Sequence, residues 1–340
     1  MSDLCAAVVG TGHLGQHHAR VYAGLEGVEL VGVVDTDEKQ GKSVAKKCKT
    51  SWYADYESLL RQVDLASIAA PTLSHYSIAR DFIAAGVPVL IEKPMTSTLE
   101  EAEELVRFAD EKGCLVQVGH IERFNPAIVE IQKILTRPGY IEADRISPFS
   151  FRSVEIGVVL DLMIHDIDII LLLTKSEVES VDAVGVNVLS SSEDVANARL
   201  RFASGCVATL TASRVSMKSE RKIRIFQEDT YISLDYQERR ARIYRVSDKV
   251  KSSGIDLTQF DPKKLSDLKS LVFGDLLEVQ DIRMGNEEPL AEELSAFVRS
   301  VRAGEPPAVS AADGLKAIRV AEQIREGIAV SAARLSAGEE

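Results

Sequence analysis

The stretch VVGTGHLGQHHAR, residues 8–20, decides the fold of the first part of the chain. It places Gly10, Gly12 and Gly15 in a G-x-G-x-x-G pattern between an apolar run and a helical run. In this context the first glycine allows a tight turn, the second lets the backbone approach a pyrophosphate, and the third lets the helix pack closely on the strand. The pyrophosphate would lie at the positive helix N-terminus. The stretch predicts a dinucleotide site, with His13 and Leu14 among its contacts.

Short apolar runs and helical stretches alternate around this motif as far as Ile121. The apolar runs are CAAVVG, VELVGVVD, LASIAA, VPVLIEK and CLVQVGH. Parallel neighbouring strands need crossover helices, so this alternation predicts a doubly wound parallel sheet of the Rossmann type, covered on both faces. We assign residues 1–121 to this dinucleotide-binding domain.

A different pattern follows in residues 122–340, which we assign to a second domain. Strand-like pieces joined by hairpin-like connections, such as Ala203-Ser204-Gly205, predict one antiparallel sheet. Residues 247–285 are weakly patterned and are interpreted as irregular, with room for one extra strand. Two amphipathic helices end the chain, and the last is a candidate to pack back on the first domain. The fold class is therefore α/β joined to α+β.

The second apolar run ends in Asp35, about twenty residues after the glycines, where a carboxylate can bind both ribose hydroxyls of an adenosine. Asp37 and Glu38 follow closely, so a 2'-phosphate would meet three negative charges. The sequence therefore favours NAD over NADP.

Further cofactor contacts are expected where the third and fourth strands end, because ligands of doubly wound sheets lie outside the carboxyl ends of the strands. Pro71, Thr72 and His75 follow the third strand, and Glu92 and Lys93 end the fourth. For His75, a structural place at a helix start is an open alternative. A lysine before a proline is held extended, and its bond to the proline can be cis.

Metal binding and disulfides are not expected. His13 and His17 lie one helical turn apart but have no carboxylate or cysteine companion, so they and His18 are interpreted as surface or phosphate-proximal residues. The thiols are scattered along the chain without paired spacing and are expected to be reduced: Cys5, Cys48, Cys114 and Cys206.

The composition excludes some partners. Forty basic and fifty-two acidic residues leave a formal net charge of -12, which disfavours nucleic acid and anionic membranes. The N-terminus MSDLCAAVVG lacks a basic leader, and no uncharged run approaches the length of a membrane span. We expect a cytoplasmic protein with a small-molecule partner.

The apolar segment LDLMIHDIDIILLL, residues 160–173, contains three acids and a histidine. At about 100° per residue, Asp161, His165 and Asp168 would share one narrow helical stripe, while Asp166 falls off it. Because an unpaired buried charge is costly, the stripe is interpreted as a cleft wall. The alternative is a buried, hydrogen-bonded histidine.

Taken together, these motifs resemble the Gfo/Idh/MocA oxidoreductases over essentially the whole chain. The resemblance is carried by the G-x-G-x-x-G turn with its following acid, the EKP strand end at 92–94, and the D-x-x-x-H helix at 161–165. It implies that Lys93, Asp161 and His165 are catalytic, with His165 as the base, Asp161 as its orienting carboxylate and Lys93 as a hydrogen-bond donor to the substrate oxygen; the His and Lys roles are interchangeable. It also implies that the second sheet binds substrate and forms a homodimer or homotetramer.

The stretch VGHIERFNPA, residues 118–127, resembles the family members that act on nucleotide-sugars. It implies oxidation of the 3-hydroxyl of UDP-N-acetylglucosamine, feeding a PLP aminotransferase in the synthesis of the 3-amino sugar of lipid A. Expected substrate contacts are Arg123 and Asn125, with Arg152 and Arg214 as cations for the diphosphate. Three alternatives remain: a dehydrogenase of a free sugar or cyclitol, an NAD-dependent glycoside hydrolase, and a non-catalytic NAD or sugar sensor.

Overall fold

The computed structural model describes residues 2–150, 156–253, 276–283, 285 and 288–337. The chain forms two compact units. The first unit comprises Met1–Asn125 with Glu287–Glu322, and the second comprises Pro126–Asn286 with Gln323–Glu340.

The first unit contains a six-stranded sheet in the order β3-β2-β1-β4-β5-β6. Every pair is parallel, and the order is that of a doubly wound Rossmann sheet, as predicted. The strands are β1 (Leu4–Val9), β2 (Val28–Val34), β3 (Ser51–Tyr53), β4 (Leu65–Ile68), β5 (Val89–Glu92) and β6 (Val116–Gly119).

Four helices connect these strands: α1 (Gly15–Gly24), α2 (Glu38–Cys48), α3 (His75–Ala84) and α4 (Leu99–Lys112). The side chain of Asp37 caps α2 by accepting from two backbone N–H groups, and Thr98 caps α4. Short 3-10 turns lie at Glu57–Leu59, Thr72–Ser74 and Ile121–Phe124.

One late helix, α8 (Pro289–Ala303), also belongs to the first unit. Its Leu290, Leu294 and Phe297 are buried in the core that includes residues of α1, β1 and β2. The sequence-based division at residue 121 placed this helix in the second domain. The amphipathic pattern predicts a helix correctly but does not indicate which sheet the apolar face covers. The last helix, α9 (Ala311–Ala337), contributes residues to both units.

The second unit contains an eight-stranded sheet in the order β14-β13-β12-β11-β7-β10-β9-β8. It is antiparallel as predicted, except that β7 and β10 pair in parallel at its centre. The strands are β7 (Pro138–Ile146), β8 (Val178–Val186), β9 (Val195–Phe202), β10 (Val207–Ser213), β11 (Glu220–Gln227), β12 (Thr230–Asp235), β13 (Arg240–Val246) and β14 (Leu277–Arg283). The remaining helices are α5 (Pro126–Ile134), α6 (Ile164–Thr174) and α7 (Asp248–Ser253).

Part of the weakly patterned region 247–285 is regular. It begins with α7 and ends with β14, which is the extra strand that the sequence left room for and which pairs with β13. The rest of this region, residues 254–275, lies outside the described part of the chain.

One face of the second sheet is buried over β7 and β9 to β13, because alternate residues of these strands are small or branched apolar side chains. These are Ile141, Ala143, Ala196, Ala198, Leu200, Ala208, Leu210, Ala212, Ile223, Ile225, Ile232, Leu234, Ala241 and Ile243. Helix α6 packs on β7 and β10.

The residues before α6 form a π-helical turn, Val159–Met163, in which the N–H of Ile164 donates to the carbonyl of Val159. A π turn holds one more residue than an α-helical turn, and such turns are frequent at functional sites. Asp161 lies in this π turn, and His165 lies in the regular helix that follows. Asp161 is therefore displaced, relative to His165, from the position that a uniform helix predicts. Both side chains are half-buried, whereas Asp168 is buried.

Asp166, which the predicted stripe left without a role, holds α6 on the sheet. Its carboxylate accepts two hydrogen bonds from Arg145 of β7, from Nε at 2.8 Å and from Nη2 at 2.9 Å. Both side chains are almost fully buried, and the guanidinium of Arg145 lies over the ring of Tyr236. A paired, bidentate geometry makes the burial of both charges tolerable.

Breaking this pair should destabilise the protein. Asp166→Asn or Arg145→Met each leaves one buried charge uncompensated, so each should lower the free energy of unfolding by about 3–5 kcal/mol in urea denaturation. The exposed ion pairs of Asp281 with Arg240 and Arg242 provide a control, and Asp281→Asn should cost much less than either core variant, because solvent screens surface ion pairs. The double variant R145M/D166L should recover most of the loss. Single variants no more costly than Asp281→Asn would contradict this role.

Candidate active site

The glycine-rich turn after β1 has the geometry of a phosphate-binding turn. Gly10 has φ +87°, which side chains disfavour, and its N–H donates to the carbonyl of Val34 at 2.8 Å. A Cβ on Gly15 would lie 1.8 Å from the carbonyl oxygen of Gly10, so only glycine allows α1 to approach this closely. A Cβ on Gly12 would meet no atom within 4 Å. The turn therefore leaves open space over the backbone of Gly12, where a pyrophosphate would fit.

The start of α1 is electrostatically suited to an anion. Its first turn contains no acidic residue, and a helix N-terminus carries partial positive charge. His13 and Leu14 are exposed at this turn, and the rings of His13 and His17 meet edge to face with centroids 5.8 Å apart. The residues predicted for the pyrophosphate thus lie together at one helix end.

Asp35 follows β2, and its carboxylate is oriented by the chain itself. Its Oδ2 accepts from the N–H and the hydroxyl of Thr11, at 2.7 and 2.5 Å, and its Oδ1 accepts from the N–H of Asp37 at 2.8 Å. Thr11, which is fully buried, was not singled out by sequence reasoning. These bonds fix the carboxylate beside the glycine-rich turn, where it would meet the adenosine ribose.

His75 braces two backbone segments at the ends of β4 and β5. Its Nδ1 lies 2.9 Å from the carbonyl of Pro94 and its Nε2 lies 2.8 Å from that of Ala70. The ring is buried, and this burial lowers the pKa of His75 although both carbonyls favour the charged form. This geometry corresponds to the structural alternative for His75. Contact of His75, Pro71 and Thr72 with a cofactor stays a prediction.

The bond between Lys93 and Pro94 is cis, as the sequence allowed. Glu92, directly before Lys93, is buried and hydrogen-bonds to Nε2 of His18 at 2.9 Å, while its Oε2 accepts from the N–H of Lys93 at 3.2 Å. Burial alone raises the pKa of Glu92, but the hydrogen bond and charge of His18, together with Lys93, hold it below its usual value. The interpretation of His18 as a surface residue is wrong, because its side chain is fully buried against Glu92.

Arg123 is held in place by a residue that lies far away in the sequence. Its Nη1 is 3.5 Å from Oδ2 of Asp313, near the start of α9, and the same oxygen accepts from the N–H and hydroxyl of Ser310. Burial raises the pKa of Asp313, but Arg123 and Ser310 outweigh it and lower the value. Asn125 is buried nearby in the chain. Their contact with a substrate stays a prediction.

Arg214 is not positioned as a surface cation for a diphosphate. It is almost fully buried, with Nε donating to Asp194 at 2.8 Å, Nη1 to the carbonyl of Ile156 and Nη2 to the hydroxyls of Ser190 and Ser192. Backbone and side-chain donors hold the pKa of Asp194 far below its usual value, although burial opposes this. The prediction for Arg214 is therefore corrected: its guanidinium braces the loop at 187–193. Arg152 lies outside the described residues.

Glu193, next to Asp194, holds the start of the π-helical turn that carries Asp161. The N–H groups of Val158 and Val159 donate to its backbone carbonyl at 2.9 Å and its Oε1 at 3.3 Å. A Cβ on Gly157 would lie 1.8 Å from Oε1 of Glu193, so the contact requires glycine there. Sequence reasoning missed this glutamate, because a charge in a serine-rich loop normally indicates solvent exposure. Asp161 and His165 lie in the second unit and Lys93 in the first, so their meeting stays a prediction.

The described ranges of the chain hold no group of three or more His, Cys, Asp or Glu side chains that could bind a metal ion. The four cysteines are unpaired, and burial raises the pKa of Cys114 and of Cys206 to about 11. Of the helices described, none is both long and apolar enough to cross a membrane.

Two sequence families match the chain. Residues 4–120 match the oxidoreductase family with an NAD-binding Rossmann fold, and residues 137–233 match the GFO/IDH/MocA C-terminal domain.

Similar curated proteins include two named dehydrogenases. A UDP-N-acetylglucosamine 3-dehydrogenase from Acidithiobacillus ferrooxidans is 40% identical over 72% of this chain and 78% of its own. A scyllo-inositol 2-dehydrogenase (NAD(+)) from Bacillus subtilis is 30% identical over 62% of this chain and 67% of its own.

Solved structures are similar over nearly the whole chain. The UDP-N-acetylglucosamine 3-dehydrogenase GnnA from Acidithiobacillus ferrooxidans superposes with a TM-score of 0.85 at 33% identity, covering 96% of this chain and 98% of its own. A levoglucosan dehydrogenase in complex with NADH and levoglucosan has a TM-score of 0.83 over 96% and 98% of the two chains, but at 18% identity it supports the fold alone. With the glycine-rich turn, Asp35 and the Glu92–Lys93 strand end in one unit, the chain belongs to the Gfo/Idh/MocA family of NAD-binding oxidoreductases.

Proposed function

We propose that the protein uses NAD to oxidise the 3-hydroxyl of UDP-N-acetylglucosamine to the 3-keto sugar. The observation that carries the proposal is the 40% identity to a UDP-N-acetylglucosamine 3-dehydrogenase over 72% of the chain. The order of a phosphate-binding turn, a Glu-Lys-Pro strand end and an Asp-x-x-x-His helix within this chain supports it.

The first unit would hold the cofactor along one edge of its sheet. The turn at Gly10–Gly15 and the start of α1 bind the pyrophosphate, Asp35 accepts from the adenosine ribose, and Glu92 and Lys93 border the nicotinamide. NAD, once bound, supplies the acceptor for the hydride that leaves the sugar carbon.

The proton of the sugar hydroxyl is taken by a side chain of this protein. We assign His165 as the base, Asp161 as the carboxylate that orients its ring, and Lys93 as the donor that holds the sugar oxygen, with the roles of His165 and Lys93 interchangeable. The π-helical turn supports this assignment, because it displaces Asp161 from the position of a regular helix and such turns occur often at functional sites.

Arg123 is the leading cation for the substrate diphosphate. Its ion pair with Asp313 restrains the long side chain before binding. Less side-chain conformational entropy is then lost when a substrate binds. Arg214 is excluded from this role by its burial among Asp194, Ser190 and Ser192. Asn125 completes the expected sugar contacts, and Arg152 stays a candidate from the sequence alone.

The product would be consumed by an aminotransferase. A 3-keto sugar is a carbonyl acceptor for an amino group, so we propose a PLP aminotransferase of lipid A synthesis as the partner in the pathway. We place both in the cytoplasm, where the unpaired cysteines would remain reduced.

The substrate assignment predicts that NADH forms only when UDP-N-acetylglucosamine is added. Absorbance of NADH should be followed over a panel of UDP-sugars, free sugars and inositols, each with NAD and with NADP. Turnover of scyllo-inositol or myo-inositol but not of UDP-sugars would favour the second candidate function, a cyclitol dehydrogenase. This candidate is kept because a relative at 30% identity is named scyllo-inositol 2-dehydrogenase. Release of a glycoside leaving group without net NADH, or ligand binding without turnover, would refute the dehydrogenase.

The catalytic assignment predicts losses in turnover for two substitutions. Lys93→Met removes the donor and His165→Ala removes the base, so each should lower kcat at least ~100-fold. Lys46→Met, on the exposed side of α2, is the matched control and should leave kcat within about twofold. The assignment fails if both site variants turn over at a near-normal rate while their thermal unfolding is unchanged.

Assembly is proposed through the partly exposed face of the second sheet. Tyr140, Phe226, Tyr231 and Tyr244 stack in a row across β7, β11, β12 and β13, with ring centroids 5.7, 4.8 and 5.2 Å apart. Val279 of β14 pairs with Tyr244 and is 42% exposed. A partly exposed aromatic row of this extent is typical of a surface that a partner covers.

The assembly proposal is tested by measuring the molar mass of the protein in solution. Light scattering after size-exclusion chromatography should give a homodimer or homotetramer, and Phe226→Glu should convert it to monomers because it places a charge in the aromatic row. Val129→Glu, which changes an exposed apolar residue of α5, is the control and should leave the mass unchanged. A monomeric wild type at tens of micromolar would refute the interface.

A further inference from the structure

A buried histidine-glutamate pair lies under the strand end that carries Lys93. His18 of α1 is completely inaccessible to solvent, and its Nε2 lies 2.9 Å from Oε1 of Glu92. Neither the predicted reaction nor the binding of the pyrophosphate uses His18. A buried titratable group at this position therefore requires its own explanation.

The carboxylate of Glu92 is fixed on three sides. His18 approaches Oε1, the N–H of Lys93 donates to Oε2, and β6 packs against the carboxylate. A Cβ on Gly119 of β6 would lie 3.1 Å from Cα, Cδ and Oε2 of Glu92. A side chain at residue 119 would therefore press on Glu92, and the glycine leaves room for this carboxylate.

The surroundings of Glu92 favour its ionised form. Its burial raises the pKa, but His18 from α1 and Lys93 from its own strand lower it, and the net direction is downward. His75 of α3 also senses this charge, since Glu92 raises the pKa of His75. An ionised Glu92 has no proton to give, so Nε2 of His18 must be the donor in their hydrogen bond.

The other nitrogen of His18 makes no comparable contact. Nδ1 is buried and has no hydrogen-bond partner among the residues that the structure describes. Leaving a buried polar atom without a partner has a free-energy cost, which an apolar side chain of similar size would avoid. The hydrogen bond to Glu92 is therefore the contact in the described structure that accounts for a histidine here.

We propose that His18 is a positioning residue that keeps Glu92 ionised and immobile beside Lys93, so that the protein favours the cationic, oxidised nicotinamide over the reduced one. The inference rests on the proposed function, because that function places the nicotinamide at Glu92 and Lys93. A lysine ammonium there repels the positive ring of NAD+, and the Glu92 carboxylate offsets this repulsion. The reduced nicotinamide ring is neutral, so the charges of Glu92 and Lys93 should have little effect on its binding.

The test compares the affinities for NAD+ and NADH without any sugar, by isothermal titration calorimetry. His18→Phe keeps a ring but removes the donor, so the ratio of the NAD+ to the NADH dissociation constant should rise by about tenfold, the scale of losing one hydrogen bond to a charged group. His18→Gln keeps an N–H that reaches Glu92 and should retain most of the wild-type ratio. The pH at which preference for NAD+ is lost should also move upward in His18→Phe, because Glu92 then protonates more readily.

A double-mutant cycle separates this role from general packing. Glu92→Gln should change the ratio as much as His18→Phe does, and His18→Phe should have little further effect in the Glu92→Gln background. Equal weakening of NAD+ and NADH by His18→Phe, or the same change of ratio with and without the Glu92 carboxylate, would overturn the proposal. If His18→Phe does not fold, Glu92→Gln decides alone, since an unchanged ratio in that variant overturns it as well.

The two proposals can fail separately. A wild type that binds NAD+ but produces no NADH with UDP-N-acetylglucosamine would refute the proposed substrate while leaving the ratio measurable. A variant ratio that does not move would refute the role of His18 while leaving the substrate assignment intact.

Discussion

The close approach of α1 to the first sheet is the constraint on which the candidate site depends. At Gly15 the helix comes so near the carbonyl of Gly10 that no side chain fits between them. This contact places the positive end of α1 over the glycine-rich turn, and it also brings His18, one turn further along, against Glu92 at the end of β5. One packing contact thus serves the pyrophosphate end and the nicotinamide end of the expected cofactor.

In the second unit, buried ion pairs fix the positions of segments, as close packing at glycines does in the first unit. Arg145 with Asp166 fixes α6 to β7, and Arg214 with Asp194 fixes the loop at 187–193. Such pairs add little net stability compared with apolar packing, but removing one partner is costly. Their effect here is to position segments. Each pair fixes a segment that carries a proposed catalytic side chain or lies next to one.

The sequence predicted the first unit well, since its signals are local. The glycines, the strand ends at Asp35 and Lys93, and the parallel pairing follow from patterns within short windows, whereas the three-residue edge strand β3 was not among the predicted strands. Failures occurred where a partner lies far along the chain. The pattern of α8 does not reveal that Leu290 and Phe297 cover the first sheet, and nothing near Arg123 points to Asp313. Arg214 continues the buried register of Ala208, Leu210 and Ala212, but only the fold reveals that Asp194 is the partner that compensates its charge.

Glu193 and Asp194 are adjacent, and their side chains bind different structures: Glu193 holds the start of the π-helical turn, and Asp194 holds Arg214 together with the backbone of its own loop. Surface loops normally tolerate insertions and deletions, because their backbone contacts little else. Adding or deleting one residue between Val188 and Asp194 would move the N–H groups of Val188, Leu189 and Ser190 out of register with the Asp194 carboxylate that accepts from them. The length of this loop should therefore be as restricted in evolution as that of a core strand. The residue types at Val188 and Leu189, which are exposed at its tip, should be free to vary.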